Sequence, residues 1–331
     1  MKKVCLVCLS VLLLAACGGS ESAQIGKAQR LTQKGEYTKA IQVYSAVIRK
    51  NPANYAAYAG RGLLFERLKA KDAAEIKKNQ KAAERDYLRA LNLNYHLPEV
   101  YNNLAALYID QGRYTDAVMN LNEALLQRPN YFMAVLNRAV AYSQQGRMDR
   151  AFIDFARAEK LNPRSPILFL NRGLAEYSAG YYATAVNDYT DLISLQPDNA
   201  RAYLERGRAF IKMGYFQDAM DDFQRAIALR PDYAMPYYYA AELLFSRGDT
   251  EQGIAYAERA KLLAPDYSAA YDLLGDMLAL ESPVEATQHY LAALRLDAAH
   301  ASRYERKIQM MSTERGRKNV VSRRFLHVGE R

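Results

Sequence analysis

Past position 17 the chain of 331 residues has no cysteine: Cys5, Cys8 and Cys17 are all it holds. That lack excludes disulfides, cysteine-bound zinc and thiol nucleophiles from the rest of the chain. Stability there must come from packing. Histidine is nearly as scarce, and His96, His289, His300 and His327 stand in no HExxH or paired-ligand spacing, so no histidine-built metal centre is expected. A glycine-rich phosphate loop is also missing, because the glycines recur as punctuation at a fixed step. No catalytic residues and no cofactor are therefore expected. Although 50% of the residues are hydrophobic, no long apolar run recurs after the first sixteen positions. The body is expected to be soluble rather than membrane-spanning.

Charge of one sign is lacking from most of the chain as well. The formal net charge is +9, yet Lys2 and Lys3 lie at the extreme N-terminus, and residues 303–331 carry nine Lys or Arg against three Asp or Glu. The intervening body is close to neutral. A nucleic-acid reader needs a basic face along its fold, so nucleic acid is not an expected partner.

What is present begins with Lys2 and Lys3, followed by an apolar run over residues 4–16. That run is shorter than the roughly 20 residues that cross a bilayer as a helix, and small residues follow it, as in a secretory signal. Leu14-Ala15-Ala16-Cys17 resembles the lipobox of bacterial lipoproteins. An ordinary signal that happens to end in a cysteine is the alternative. The resemblance implies removal of residues 1–16, a diacylglycerol on Cys17 and a short linker over 17–20. Two or three acyl chains, each contributing about 0.8 kcal/mol per buried methylene, would anchor the chain stably. Gly18 stands where an aspartate would signal retention in the inner membrane, so the resemblance implies the outer membrane, facing the periplasm.

A repeat follows. Pro129, Pro163, Pro197, Pro231 and Pro265 are spaced thirty-four residues apart, as are Gly112, Gly146, Gly180, Gly214 and Gly248, and Ala117, Ala151, Ala185 and Ala219. Four residues after each of those alanines comes Leu121, Phe155, Tyr189 or Phe223. Within one unit, small residues such as Gly173 and Ala185 let two helices approach while Phe169 and Tyr189 fill the space between them. Gly180 suits the left-handed end of the first helix, and Pro197 stops the second. The stretch from Pro166 to Asn199 is similar to the tetratricopeptide repeat. The fold class expected is all-α, a solenoid of helical hairpins that in this family forms a right-handed superhelix.

Eight units are expected, at 21–54, 55–97, 98–131, 132–165, 166–199, 200–233, 234–267 and 268–300. The second carries about nine extra residues near KDAAEIKKN, over 71–79, whose helix-prone composition favours an elongated helix pair over a docking arm. The eighth lacks a residue around Glu281-Ser282-Pro283, and Gly253 replaces the usual alanine of the seventh. Tyr304, Ile308 and Met311 recur at helical spacing, predicting a capping helix over 301–316. Residues 317–331 are expected to be a basic, disordered tail, either solvated or drawn to anionic lipid headgroups.

The resemblance also implies that first helices line a concave groove. Their sixth positions read Gly60, Asn103, Asn137, Asn171, Glu205, Tyr239 and Leu273. The run of three amides resembles the asparagine ladder of a repeat-containing glycosyltransferase that holds peptides by their backbone, since a carboxamide both donates and accepts. Asparagine is also simply common at this position of the family, which leaves a structural role open. Leu136, Leu170, Leu204 and Arg208, at fifth and ninth positions, would line the groove between the amides, with Tyr238 and Tyr239 beside Glu242 further on. Some of these would instead pack between helices. The residues by which related domains clamp a chaperone's carboxylate tail are absent, since Ala59, Leu63, Asn102 and Ala106 stand in their places. The function expected is a lipid-anchored, non-enzymatic scaffold of the bacterial envelope that binds a protein or extended peptide. It would serve pilus or secretion assembly, a cell-wall enzyme or polysaccharide export. A carbohydrate-binding protein or enzyme using the same groove is the alternative.

Overall fold

The computed structural model describes residues 19–327, with side chains over 20–322. The signal segment, Cys17 and residues 328–331 lie outside it. Among the described residues all regular structure is helical. Helices pair as α1 (Gly19–Gln33) with α2 (Tyr37–Lys50), α3 (Tyr55–Arg67) with α4 (Ala73–Leu93), α5 (Pro98–Asp110) with α6 (Tyr114–Gln127), and α7 (Phe132–Gln144) with α8 (Met148–Leu161). The series continues with α9 (Pro166–Ser178) and α10 (Tyr182–Leu195), α11 (Ala200–Met213) and α12 (Phe216–Leu229), α13 (Ala234–Ser246) and α14 (Thr250–Leu263), and α15 (Ser268–Leu278) and α16 (Pro283–Leu296). A short 3-10 turn (Ala298–His300), α17 (Ala301–Met310) and α18 (Glu314–His327) follow. Eight helix pairs are thus present among the described residues, the first opening at Gly19.

The chain divides into two compact units, Met1–Asn171 and Arg172–Arg331, with the boundary inside α9. A stack in which each hairpin touches only its neighbours has no long-range contacts to bind its ends together. The first unit holds α1 to α8, and its N-terminal core gathers Ile25, Ala28, Ala40, Tyr44 and Val47 with Ala56, Ala57 and Leu64. In the second unit, Leu204, Phe223, Ala240 and Leu243 form one cluster, and Tyr238, Phe245, Ala257, Leu273 and Met277 form the next.

Inside each hairpin the partner of a small residue is a large one. A Cβ added to Gly173 would lie 2.8 Å from the Tyr189 ring, so only glycine lets α9 approach α10 this closely. The turns between paired helices need glycine for another reason: Gly112, Gly146, Gly180, Gly214 and Gly248 have φ between 75 and 87°.

An ion pair recurs that the sequence reading did not single out. In the first unit Arg61 holds Asp86 at 2.6 and 2.9 Å, and Arg138 holds Asp154 at 2.7 and 2.8 Å. In the second, Arg172 holds Asp188 at 2.8 and 2.7 Å, and Arg206 holds Asp222 at 2.9 and 2.8 Å. Each is a two-point contact between the first and second helix of one hairpin. The remaining guanidinium nitrogen reaches back to the preceding hairpin, donating to Ser45 (3.0 Å), Asn122 (2.8 Å) or Thr190 (3.1 Å) from Arg61, Arg138 and Arg206 respectively. These arginines stitch neighbouring repeats.

Two departures from the repeat behave differently. The insertion lengthens α4 to 21 residues, with Asp72 accepting a hydrogen bond from the Glu75 amide (2.8 Å) and Glu75 accepting one from the Lys71 amide (2.7 Å). It forms the elongated helix. The C-terminus corrects the sequence reading: residues expected to be disordered from 317 onward form most of α18, and the helix expected over 301–316 is broken into α17 and the start of α18. Val320, 4% exposed, packs with Ala279, Ala286, Tyr290 and Met311. Val320 and the partly buried Val321 give an otherwise polar segment a face to dock.

Candidate functional site

The fifth- and sixth-position residues of the first unit are placed by the approach of successive first helices. Asn103, Asn137 and Asn171 are 2, 2 and 5% exposed. Asn137 donates to Asn102 Oδ1 (2.9 Å), joining α7 to α5, and Asn171 donates to the Ile167 carbonyl of its own helix (2.8 Å). Asn103 Oδ1 is buried and has no hydrogen-bond partner. Asn137 and Asn171 therefore each spend a donor inside the fold. The leucines differ more plainly from a groove lining. Leu136 and Leu170, and Leu204 of the second unit, are 0, 7 and 2% exposed. They belong to the core between helices, where an aliphatic side chain gains most from leaving water.

The second unit gathers a different set of side chains around Arg208 of α11. Its guanidinium carbon lies 4.9 Å from the centroid of Tyr177 on α9 and 5.0 Å from that of Tyr239 on α13. Two rings thus flank one cation, an arrangement that adds about 0.5–2 kcal/mol for each well-placed pair. Nη1 donates to Glu205 Oε2, one turn earlier on α11, and Arg201 approaches the other Glu205 oxygen at 3.8 Å. Arg208 Nε is buried without a partner, and so is the hydroxyl of Tyr189 on α10. Burial works against the charge on Arg208, but the Glu205 carboxylate and the Tyr239 and Tyr177 rings outweigh it and hold the group above its ordinary range. Burial pushes the Tyr239 phenol up to about 12 and raises Tyr177 and Tyr189 as well. All three phenols stay neutral hydrogen-bond donors near neutral pH.

Tyr238 and Tyr239, expected side by side in the groove, meet edge-on with ring centroids 5.1 Å apart, but they differ in their other neighbours. Tyr239 stacks on Phe223 (centroids 6.0 Å, 24° between planes) and has the Arg208 guanidinium over its ring. Tyr238 is 8% exposed and meets Tyr267 edge-on at 5.2 Å, within the core cluster of α13 to α15. Tyr177 was not singled out from sequence, and Tyr189 was read only as packing between two helices. Only their spacing from Arg208 in space brings them together. Among the described residues there is no group of histidine, cysteine or acidic side chains able to hold a metal ion, and no helix long and apolar enough to cross a membrane.

Paired helices at a thirty-four-residue step, small residues against large ones inside each pair and arginines stitching one pair to the next define a helical-repeat solenoid. The family model described as "Tetratricopeptide repeat" matches residues 102–166 and 170–234, and one described as "TPR repeat" matches residues 28–69. The protein belongs to the tetratricopeptide-repeat family. No curated protein matches it in sequence. Among solved structures it is similar to a tetratricopeptide repeat protein from Parabacteroides merdae, with TM-score 0.62 and 23% identity over 78% of this chain and 98% of that one. PilW, a widely conserved type IV pilus biogenesis factor, matches with TM-score 0.60 and 18% identity over 66% of this chain and 98% of its own. PilF of Pseudomonas aeruginosa matches with TM-score 0.55 and 21% identity over 67% of this chain and 97% of its own. At these identities the likeness is one of fold.

Proposed function

We propose that this protein is a lipid-anchored, non-enzymatic scaffold of the bacterial envelope that holds an extended segment of a partner protein on its repeats, against Arg208 and its flanking tyrosines. The observation that carries this reading is the unspent hydrogen-bonding capacity there. Arg208 Nε and Tyr189 Oη are both buried without partners, next to the neutral phenols of Tyr177 and Tyr239. Tyrosine and arginine are also the residues in which binding energy concentrates at interfaces. The amides of Asn103, Asn137 and Asn171 are a secondary contact in this reading, because two of them already donate within the fold. The shared fold with PilW and PilF supports an assembly role of the pilus type, and the lipobox-like Leu14–Cys17 supports attachment to the outer membrane, facing the periplasm.

The test is recovery of partners from crosslinked envelopes by the full-length protein. One stoichiometric protein, retained in Ile153→Ala and lost in Arg208→Ala, is the expected result; Ile153 is an exposed control at 69%. Equal recovery with Arg208→Ala overturns the placement of the site. The anchor is tested separately. Cys17→Ser should move the protein from the membrane fraction to the soluble fraction and abolish labelling by a fatty acid.

A further inference from the structure

The seams between successive first helices of the second unit change character at the C-terminal end. Between α11 and α13 they are apolar, with Leu204 clustered with Ala240 and Leu243. Between α13 and α15, Tyr238, Ala241 and Phe245 cluster with Ala270, Leu273, Leu274 and Met277. Between α15 and α17 the contact is ionic. Lys307 Nζ lies 2.6 Å from Asp272 Oδ1 and 2.6 Å from Asp276 Oδ1, and Arg303 bonds the other oxygen of Asp272. Asp276 also accepts the Tyr290 hydroxyl at 2.8 Å. The two carboxylates are 2 and 1% exposed, so these charges lie within the seam rather than on its rim.

Lys307 sits at the seventh position of α17, where Arg172 and Arg206 stand in α9 and α11. Those arginines reach forward sixteen residues to Asp188 and Asp222. Sixteen residues after Lys307 the sequence has Arg323, not an aspartate. Lys307 instead reaches back to α15. What an ordinary repeat uses to close its own hairpin here fastens the terminal hairpin onto its neighbour.

The kinds of seam differ in what happens on separation. An apolar seam that opens puts hydrocarbon into water with nothing to offset it. An ionic seam that opens returns four charged groups to full hydration, which recovers much of the desolvation cost of burying them. Mobile ions then lower the energy of the separated charges further. Apolar contacts of Met311 and Val320, with the partly buried Ile308 and Val321, on Ala279, Ala286 and Tyr290 add to the hold, as does Tyr304 of α17, buried at 3%.

We propose that α17 and α18 form a releasable cover on the last repeat, latched by Lys307 and Arg303 on Asp272 and Asp276, which opens while α11 to α16 stay folded and opens more readily as ionic strength rises. Opening bares the α15 face that carries the two aspartates. This inference is independent of the binding role proposed for Arg208.

Hydrogen exchange of the full chain at about 0.05 M and about 0.5 M sodium chloride tests it, since the Debye length shrinks roughly threefold over that range. With α11 to α14 as the internal reference, α17 and α18 should exchange at least about threefold faster at the higher salt. Asp272→Asn with Asp276→Asn should exchange fast at both salts, and Val320→Ala should exchange faster than the native chain while keeping its salt response. If the double variant loses the whole second unit, Lys307→Met gives the same reading and Lys307→Arg should restore the latch. Exchange of α17 and α18 in step with α11 to α16 in the native chain overturns the proposal. So does a salt response that survives in the aspartate variant.

Discussion

Gly207 faces the ring of Phe223 so closely that a Cβ built on it would stand 2.7 Å from Cε1, with the Ala219 carbonyl oxygen of the same helix as Phe223 only 3.1 Å away. The first helix of this hairpin can approach the second only because residue 207 has no side chain. Gly207→Ala should therefore destabilise the second unit by about 1–2 kcal/mol, overpacking outweighing the better helix propensity of alanine. Adding Phe223→Leu should recover part of that loss, so that the pair costs less than the sum of its members in urea unfolding.

The Arg138–Asp154 pair is buried on its acidic side, with the aspartate 4% and the arginine 18% exposed at the side chain. Removing one partner leaves the other charged with no ion to answer it. Asp154→Ala should cost about 3 kcal/mol or more in chemical denaturation, whereas Arg138→Met combined with Asp154→Leu should cost far less. Arg138→Lys should fall between, because an ammonium lacks the fork that meets both carboxylate oxygens.

Stability should fall as pH rises through the neutral range. Burial pushes the carboxyl of Glu66 up to about 8, against the hydrogen bond from Tyr87 that pulls it down, and burial with the nearby charge of Asp188 pushes Glu176 up to about 7. The folded chain thus keeps protons that an unfolded glutamate, at about 4.3, has released. Their contribution is complete below that value and disappears as pH passes the folded values. Glu66→Gln should flatten this dependence, which for a single group approaches about 1.4 kcal/mol per pH unit, as read from thermal unfolding between pH 5 and 9 on the order of one curve per unit.

The asparagines separate a structural from a binding role. Asn137→Ala deletes the hydrogen bond to Asn102 and should cost about 1–2 kcal/mol of stability. If its amide served only the fold, partner recovery measured below the unfolding midpoint should match the native chain. Loss of recovery with intact folding would return the ladder to the binding surface.

Prolines, glycines and alanines of the repeat are legible in sequence because each answers to the backbone of one hairpin: a helix stop, a positive φ, a close approach. The site is less legible because its contacts span hairpins. Nothing in the spacing of Asn102 and Asn137 says that they face each other across α5 and α7. Tyr238 and Tyr239, neighbours in sequence, likewise take different outer partners, Tyr267 for the one and Arg208 for the other, which composition does not report. Arg138, Arg172 and Arg206 with Asp154, Asp188 and Asp222 were visible at the same thirty-four-residue step as the prolines. At the C-terminus, average composition pointed to disorder, but Val320 and Val321 dock the segment on the clusters of the last repeats.

The elongated α4 holds a further consequence. Asp86 follows Arg61 by twenty-five residues where the other pairs keep sixteen, yet the two-point contact forms at 2.6 and 2.9 Å. The added turns extend from the start of the helix, upstream of the portion that meets α3. The α3–α4 turn is thus a natural port for grafting: an epitope, a tag or a reporter helix inserted near Lys71 should leave the register of every following repeat unchanged.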